Sequence, residues 1–369
     1  MIDVADKKNQ HFVPQYYFRF FSNDKKFIPL ISLADGKIVP AASIRDQASK
    51  SYFYGDKDME ERISELENLF LPPLRKLKDT KSFDQLSFEE TILAIQGIVF
   101  QRSRTLAARL DQESTGQEWA DMMLEIAINT SEKITAEDRA RLKESFRAVP
   151  NMAEIQKIQM IEAVKNAQFL ADLGMTVLKN RTNRSFIFGD APVVFFNYFQ
   201  KDIKNRGVLG MRNPGLQIYF PISPRTAIFL YDTNVYRPEV NKLSQIDVRQ
   251  KADVDNLNML QIHNSASAIY LNSLDDSCAL RALWEKSRRT QFNTKGQHRT
   301  FTINHEGENK EIFHQYEEQL QFVPKLTFCP CPKLAKSELL IDRSTWDGKA
   351  YIPEIRQWHF PEARSRQPI

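Results

Sequence analysis

Five polar residues set among apolar ones could do chemistry: His11, Arg19, Glu67, Arg104 and Asp190. An imidazole moves protons near neutral pH, and a guanidinium holds an anionic oxygen. A carboxylate orients the imidazole or binds a metal, so the set is one that a nuclease would need. His11, Gln15 and Arg19 recur every four residues, a spacing that lines one face of a helical turn. The plainer reading has His11 and Arg19 tie the N-terminal segment down onto buried carbonyls or carboxylates. Glu67 and Arg104 fall on consecutive predicted helices, where an ion pair between helices is the simpler expectation and an active-site pair the sharper one. Gln101, three residues before Arg104, shares its face, whereas Arg102 points elsewhere. Asp190 lies between two apolar strand runs, and Pro192 pushes Ala191 into extended backbone. A carboxylate there suits a metal ligand or catalytic base, and equally an Asx-turn that accepts backbone N–H groups.

Two basic stretches suggest contact with phosphate. The polar loop 198–215 carries Lys201, Lys204, Arg206 and Arg212, and the stretch 286–299 carries Arg288 and Arg289. RNA or DNA is therefore the first partner to consider, and a partner protein the second. A net charge of +4 permits an anionic partner without demanding one. His298, His305, His314, Cys329 and Cys331 crowd the C-terminal part. Their spacings match no zinc pattern and Cys-Pro-Cys is too tight, so zinc is disfavoured and no metal ligand is assigned. A requirement for a divalent metal stays open. The chain lacks GxxxxGK[ST], GxGxxG, HExxH and GxSxG, which disfavours phosphate-loop NTPases, dinucleotide enzymes, zincins and α/β hydrolases.

The elements that must position these residues can be read from periodicity. Around Asp35-Gly36, residues 27–40 read as a β-hairpin. From about 57 to 174 the period is helical: Met59, Ile63, Leu66 and Phe70 in one segment, Leu86 to Leu106 in the next. Further helices are predicted near 116–130, 136–147 and 151–173, with Pro72-Pro73 ending or kinking the first and Gly174 capping the last. TVLKN, SFIFGDAPVVFFN, LQIYFPI and RTAIFLY then read as strands, and 246–272 as a helix. With 42% hydrophobic residues, 25 Phe and 12 Gly among 369, the composition is that of a globular chain. Three cysteines form no disulfide framework, no 18-residue apolar run could span a membrane, and the first residues are no signal peptide, so the expected compartment is the cytoplasm.

Several blocks together resemble a bacterial family known as domain of unknown function 4238. They are HFVPQYYFRFF (11–21), SYFYG (51–55), the helix carrying Glu61 and Glu67, VFQRSRT (99–105), FIFGDAPVV (186–194), YFPISPRTA (219–227) and LNMLQ (257–261). Phe20 stands where the family commonly has Asn, and Gly189-Asp190-Ala191-Pro192 where it more often has Ser-Asp-Asn-Pro. The missing hydroxyl and amide remove two neighbours that could have assisted Asp190. The resemblance spans about residues 8–272 and implies a fold unit and a bacterial or phage origin, with no established activity.

These readings converge on an α+β fold: an N-terminal β-hairpin, a central helical layer, a mixed or antiparallel sheet and a closing long helix. Residues 1–275 are expected to form one domain, and 276–369 a C-terminal extension packing on it. The leading functional expectation is a phage-defence or toxin-like effector that acts on nucleic acid as a nuclease. The alternative is a binding module for nucleic acid, nucleotide or a partner protein. Convergence of the five polar side chains in one pocket favours the first, and dispersal the second.

Overall fold

The computed structural model describes residues 9–55, 57–131, 135–145, 149–203, 207–288, 296–305 and 308–331. In chain order the first elements are β1 (Asn9–His11), α1 (Gln15–Phe18), β2 (Phe27–Ser32), β3 (Ile38–Ser43) and β4 (Ser49–Ser51). The expected hairpin is β2–β3. Gly36 has φ +70° in its turn, where Asp35 Oδ1 accepts from the Lys37 amide at 3.0 Å. Trp284 lies over this glycine, and a Cβ there would sit 2.4 Å from its ring, so both backbone and packing demand Gly.

The helical layer consists of α2 (Lys57–Thr80), α3 (Phe88–Ser103), α4 (Leu106–Thr130), α5 (Ala136–Ser145) and α6 (Met152–Lys165). Ser87 and Glu90 form a capping box that starts α3, and Thr105 and Asn151 cap α4 and α6. Pro72 and Pro73 do not end α2, which runs on to Thr80. Phe70, Leu74 and Leu77 are buried on either side of them, so packing holds the helix across the missing N–H groups. Gly174 is likewise no cap: α6 stops at Lys165, a short 3₁₀ turn follows, and Gly174 opens a strand.

The second half contains β5 (Gly174–Asn180), β6 (Phe188–Gly189), β7 (Val194–Phe196), β8 (Gln217–Ser223), β9 (Thr226–Tyr231) and β10 (Gln245–Val248). It continues through α7 (Lys251–Asn264), β11 (Ala268–Tyr270), α8 (Ser277–Ser287), β12 (Gly296–His305) and β13 (Glu308–Glu317). The helix expected over 246–272 is thus shorter, with a strand at each end. A five-stranded mixed sheet has the order β10-β5-β9-β8-β7, in which only β10–β5 is parallel. An antiparallel sheet of order β3-β2-β11-β6 joins the N-terminal hairpin to the end of α7.

Alternation along the strands of the five-stranded sheet splits its side chains between two cores. Val177, Ile218, Phe220, Ile228 and Leu230 face the helical layer, together with Phe70 and Ile98. Leu178, Tyr219, Ala227 and Phe229 join Leu257 and Leu260 of α7. Both faces are covered, which is why these strands read as continuous apolar runs. Each large apolar side chain buried in this way contributes about 1.5–3 kcal/mol. Leu320, Leu326 and Cys329 complete the second core, so residues beyond 275 share it. Further contacts hold this region: Glu317 pairs with Arg102 and His298 with Glu118, while Gln319 exchanges two 2.7 Å bonds with the Asn197 backbone. The fold is α+β as the sequence implies.

Candidate functional site

Arg104 is the hub of the polar cluster. It terminates α3, and its side chain is 1% exposed. Nη1 donates to Glu67 Oε1 at 2.6 Å, Nη2 to the His11 carbonyl at 2.5 Å, and Nε to the Tyr54 hydroxyl at 3.2 Å. Tyr54 in turn donates to the Arg104 carbonyl at 2.8 Å, and the guanidinium lies over the Phe100 ring. Burial by itself would favour the neutral guanidine, but Tyr54 and Glu67 outweigh it and hold Arg104 more firmly charged than usual. Burial pushes the Tyr54 phenol up to about 12 and also raises that of Tyr16, where the Glu67 charge adds to it.

His11 reaches this cluster by a different route from the one its spacing implies. It ends strand β1, which pairs with β4, while α1 begins only at Gln15 after Pro14. Pairing of β1 therefore takes His11 off the helical face shared by Gln15 and Arg19. Those two do bond, Arg19 Nη2 to Gln15 Oε1 at 2.8 Å. The His11 ring bonds through Nε2 to the Arg45 carbonyl at 2.9 Å, which in the neutral ring makes Nε2 the protonated nitrogen. Burial lowers the His11 pKa, against the pull of that carbonyl and of Glu67.

A pH dependence follows. The unfolded imidazole takes up its proton near pH 6.5, and the folded one only at lower pH. The stability that His11 contributes is therefore complete above about pH 6.5 and lost as pH falls through its folded value. Thermal melts should show a smaller drop between pH 7.5 and 5 for His11→Gln than for the wild type. Equal drops would exclude this role.

Asp190 lies elsewhere, directly after the strand β6. Its Oδ1 accepts from the Ala266 amide and Oδ2 from the Ser267 amide, both at 2.8 Å, and Oδ2 also accepts from the Ser267 hydroxyl. Burial raises its pKa, against the effect of these donors. The arrangement locks the end of α7 to β6. Neighbouring Gly189 is required there, because a Cβ would sit 1.6 Å from Ser265 Oγ and 2.8 Å from Ser265 Cβ. His11, Glu67 and Arg104 thus come together, whereas Asp190 bonds to residues 266–268 and Arg19 to Gln15.

The other named residues are scattered. Lys201 pairs with exposed Asp202 at 2.7 Å, Arg212 lies over Phe169 and Arg288 over Trp284. Lys204, Arg206 and Arg289 lie outside the described residues, as do the side chains of His305 and His314. Burial pushes both the Cys329 and Cys331 thiols up, away from the thiolate a metal needs. No group of three metal-ligating side chains occurs among the described residues. Their helices include none long and apolar enough to cross a membrane.

Sequence reasoning passed over several residues of the hub. Arg109 lies over the Phe53 ring at 3.7 Å, donates to the Phe53 carbonyl, and bonds Gln156 Oε1 at 2.8 Å. Gln156 in turn reaches the Ser103 and Thr105 carbonyls. The signal for Tyr54 lay within the SYFYG block; for Arg109 and Gln156 there was none beyond their residue types. Gln101 behaves as its spacing implies: it donates to the Phe12 carbonyl beside the Arg104–His11 bond, while Arg102 turns to Glu317.

No curated protein and no solved structure matches this chain. A family model does, over residues 9–275, which takes in β1, the Arg104 hub, both larger sheets and α7. The chain therefore belongs to the family described as Protein of unknown function (DUF4238).

Proposed function

We propose that this chain is a cytoplasmic recognition module that binds nucleic acid or nucleotide, with residues 1–275 as its body and 276–369 as an extension packed on it. One observation carries the reading: Arg104 and Asp190 are committed to the fold. Every nitrogen of the Arg104 guanidinium already donates to the protein, and both Asp190 oxygens accept from Ala266 or Ser267. A guanidinium so occupied is not free to hold a substrate oxygen, nor such a carboxylate to orient His11. The overall charge of +4 and the cations of loop 198–215 supply attraction for phosphate. Asp202 does not cancel Lys201, because an exposed pair of this kind contributes little and yields to a stronger anion.

A nuclease acting as a toxin-like or phage-defence effector is the second reading, and His11 favours it. A neutral imidazole beside a carboxylate is the state a general base requires. Incubation with labelled RNA and DNA, with and without divalent metal, separates the two. We expect retention without cleavage, weakening with salt by a slope of about 0.9 per duplex phosphate contacted. Arg206→Ala with Arg212→Ala should flatten that slope. Failure to retain either polymer at low salt overturns the nucleic-acid reading in favour of a protein partner. Cleavage that disappears in His11→Ala replaces the module with the nuclease.

A further inference from the structure

We propose that a cleft between the loop before β10, the start of α7 and residues 326–331 binds a small phosphorylated aromatic molecule. A nucleoside monophosphate is the simplest of that class. The cleft has a volume of about 590 Å³, within the range of about 300–1,000 Å³ typical of small-molecule sites. Its lining includes Asn241, Asp247, Arg249, Gln250, Asp253 and Phe328. None of these belongs to the Arg104 hub or to loop 198–215.

The chemical class follows from which polar groups are already occupied. Asp253 is buried and accepts from the Thr327 amide at 3.0 Å and from its hydroxyl at 2.5 Å, which fixes the neighbouring Phe328 as a wall. Asp247 is shared by two guanidinium groups, Arg181 at 2.8 Å and Arg249 at 2.7 Å. Because Asp247 is divided between them, Arg249 is only partly neutralised by it. The Arg249 side chain is 75% exposed and has N–H groups to spare. Asn241 Oδ1 accepts from the Leu243 and Gln245 amides, so what Asn241 has left to offer is its Nδ2 donor. Gln250, the residue before α7, lines the cleft and makes no side-chain cap bond. Asp247 and Asp253 are thus in use while Arg249 and Asn241 keep donors in reserve, a pattern that suits a phosphate. Phe328 is half-buried against Phe229 and offers a ring face to a flat aromatic group. Exposed Glu239, also lining the cleft, suits a sugar hydroxyl.

Calorimetric titration of the full chain with adenosine 5′-monophosphate, adenosine and inorganic phosphate tests this. The monophosphate should bind saturably, and at least about tenfold more tightly than adenosine or phosphate alone. Arg249→Ala should remove its advantage over adenosine without changing the melting temperature, because Arg181 still neutralises Asp247. Absence of saturable binding overturns the proposal. So does binding that survives both Arg249→Ala and Asn241→Ala, and so does inorganic phosphate binding as tightly as the nucleotide. Arg212→Ala should leave nucleotide binding intact while weakening retention of nucleic acid, so failure of one reading is distinguishable from failure of the other.

Discussion

Glu67→Ala is expected to destabilise the protein by about 3–5 kcal/mol, because it leaves the buried Arg104 charge without its counter-ion. Arg104 is 1% exposed, and its remaining partners, the Tyr54 hydroxyl and the His11 carbonyl, are neutral dipoles. Glu67 is 22% exposed, so water reaches it once Arg104 is gone. The two single variants should therefore differ in cause. Glu67→Ala strands a charge, whereas Arg104→Ala opens a cavity and leaves the Tyr54 and His11 acceptors unmet. Glu67→Gln keeps the shape and an acceptor oxygen and should cost less than Glu67→Ala. Denaturant unfolding of both singles and the double would measure the coupling, expected at about 1–3 kcal/mol. Singles within about 0.5 kcal/mol of wild type would show that the hub does not hold the helical layer to β1.

Asp190→Ala is expected to cost about 1–3 kcal/mol. It leaves the Ala266 amide, the Ser267 amide and the Ser267 hydroxyl without their acceptor. Asp190 is buried and Ala266 half-buried, whereas exposed Ser267 can turn its hydroxyl to water. Asp190→Asn keeps one acceptor oxygen but sets an NH₂ against a backbone N–H, so it should be intermediate. A pH test separates the charge from the hydrogen bonds. The folded pKa of Asp190 is raised by burial, so the stability it contributes is complete below the unfolded carboxyl value and is lost as pH rises through the folded one. The gap between wild type and Asp190→Asn should accordingly be wider near pH 4 than near pH 7. An Asp190→Ala variant as stable as wild type would rule out a clamp between β6 and the end of α7.

How far these residues were legible depended on the range of their contacts. Apolar periodicity located most of the helices and about half of the strands but passed over α8, and what it found it found because a side chain's face is set by its own backbone. The Asp35-Gly36 turn was legible for the same reason: positive φ is a local demand that Gly meets. Glu67 and Arg104 could be suspected as partners, since opposite charges on consecutive helices can pair between them. Pro72-Pro73 went against local preference only because packing of Phe70, Leu74 and Leu77 outweighs two lost N–H groups.

The identity of each polar partner was a different matter. The Arg104–His11 bond spans 93 residues and the Asp190–Ser267 bond 77, and no propensity encodes such pairings. Carboxylate, imidazole and guanidinium look alike in sequence whether they wait for a substrate or satisfy a backbone. Topology supplies the neighbours. Pairing of β1 with β4 delivered the His11 carbonyl to Arg104, and antiparallel pairing of β11 with β6 brought the Ala266–Ser267 amides to Asp190. Residue types and periods are local properties and so can be read along the chain. Occupancy of a donor or acceptor is a property of whatever the fold places beside it, and only the tertiary structure supplies that neighbour.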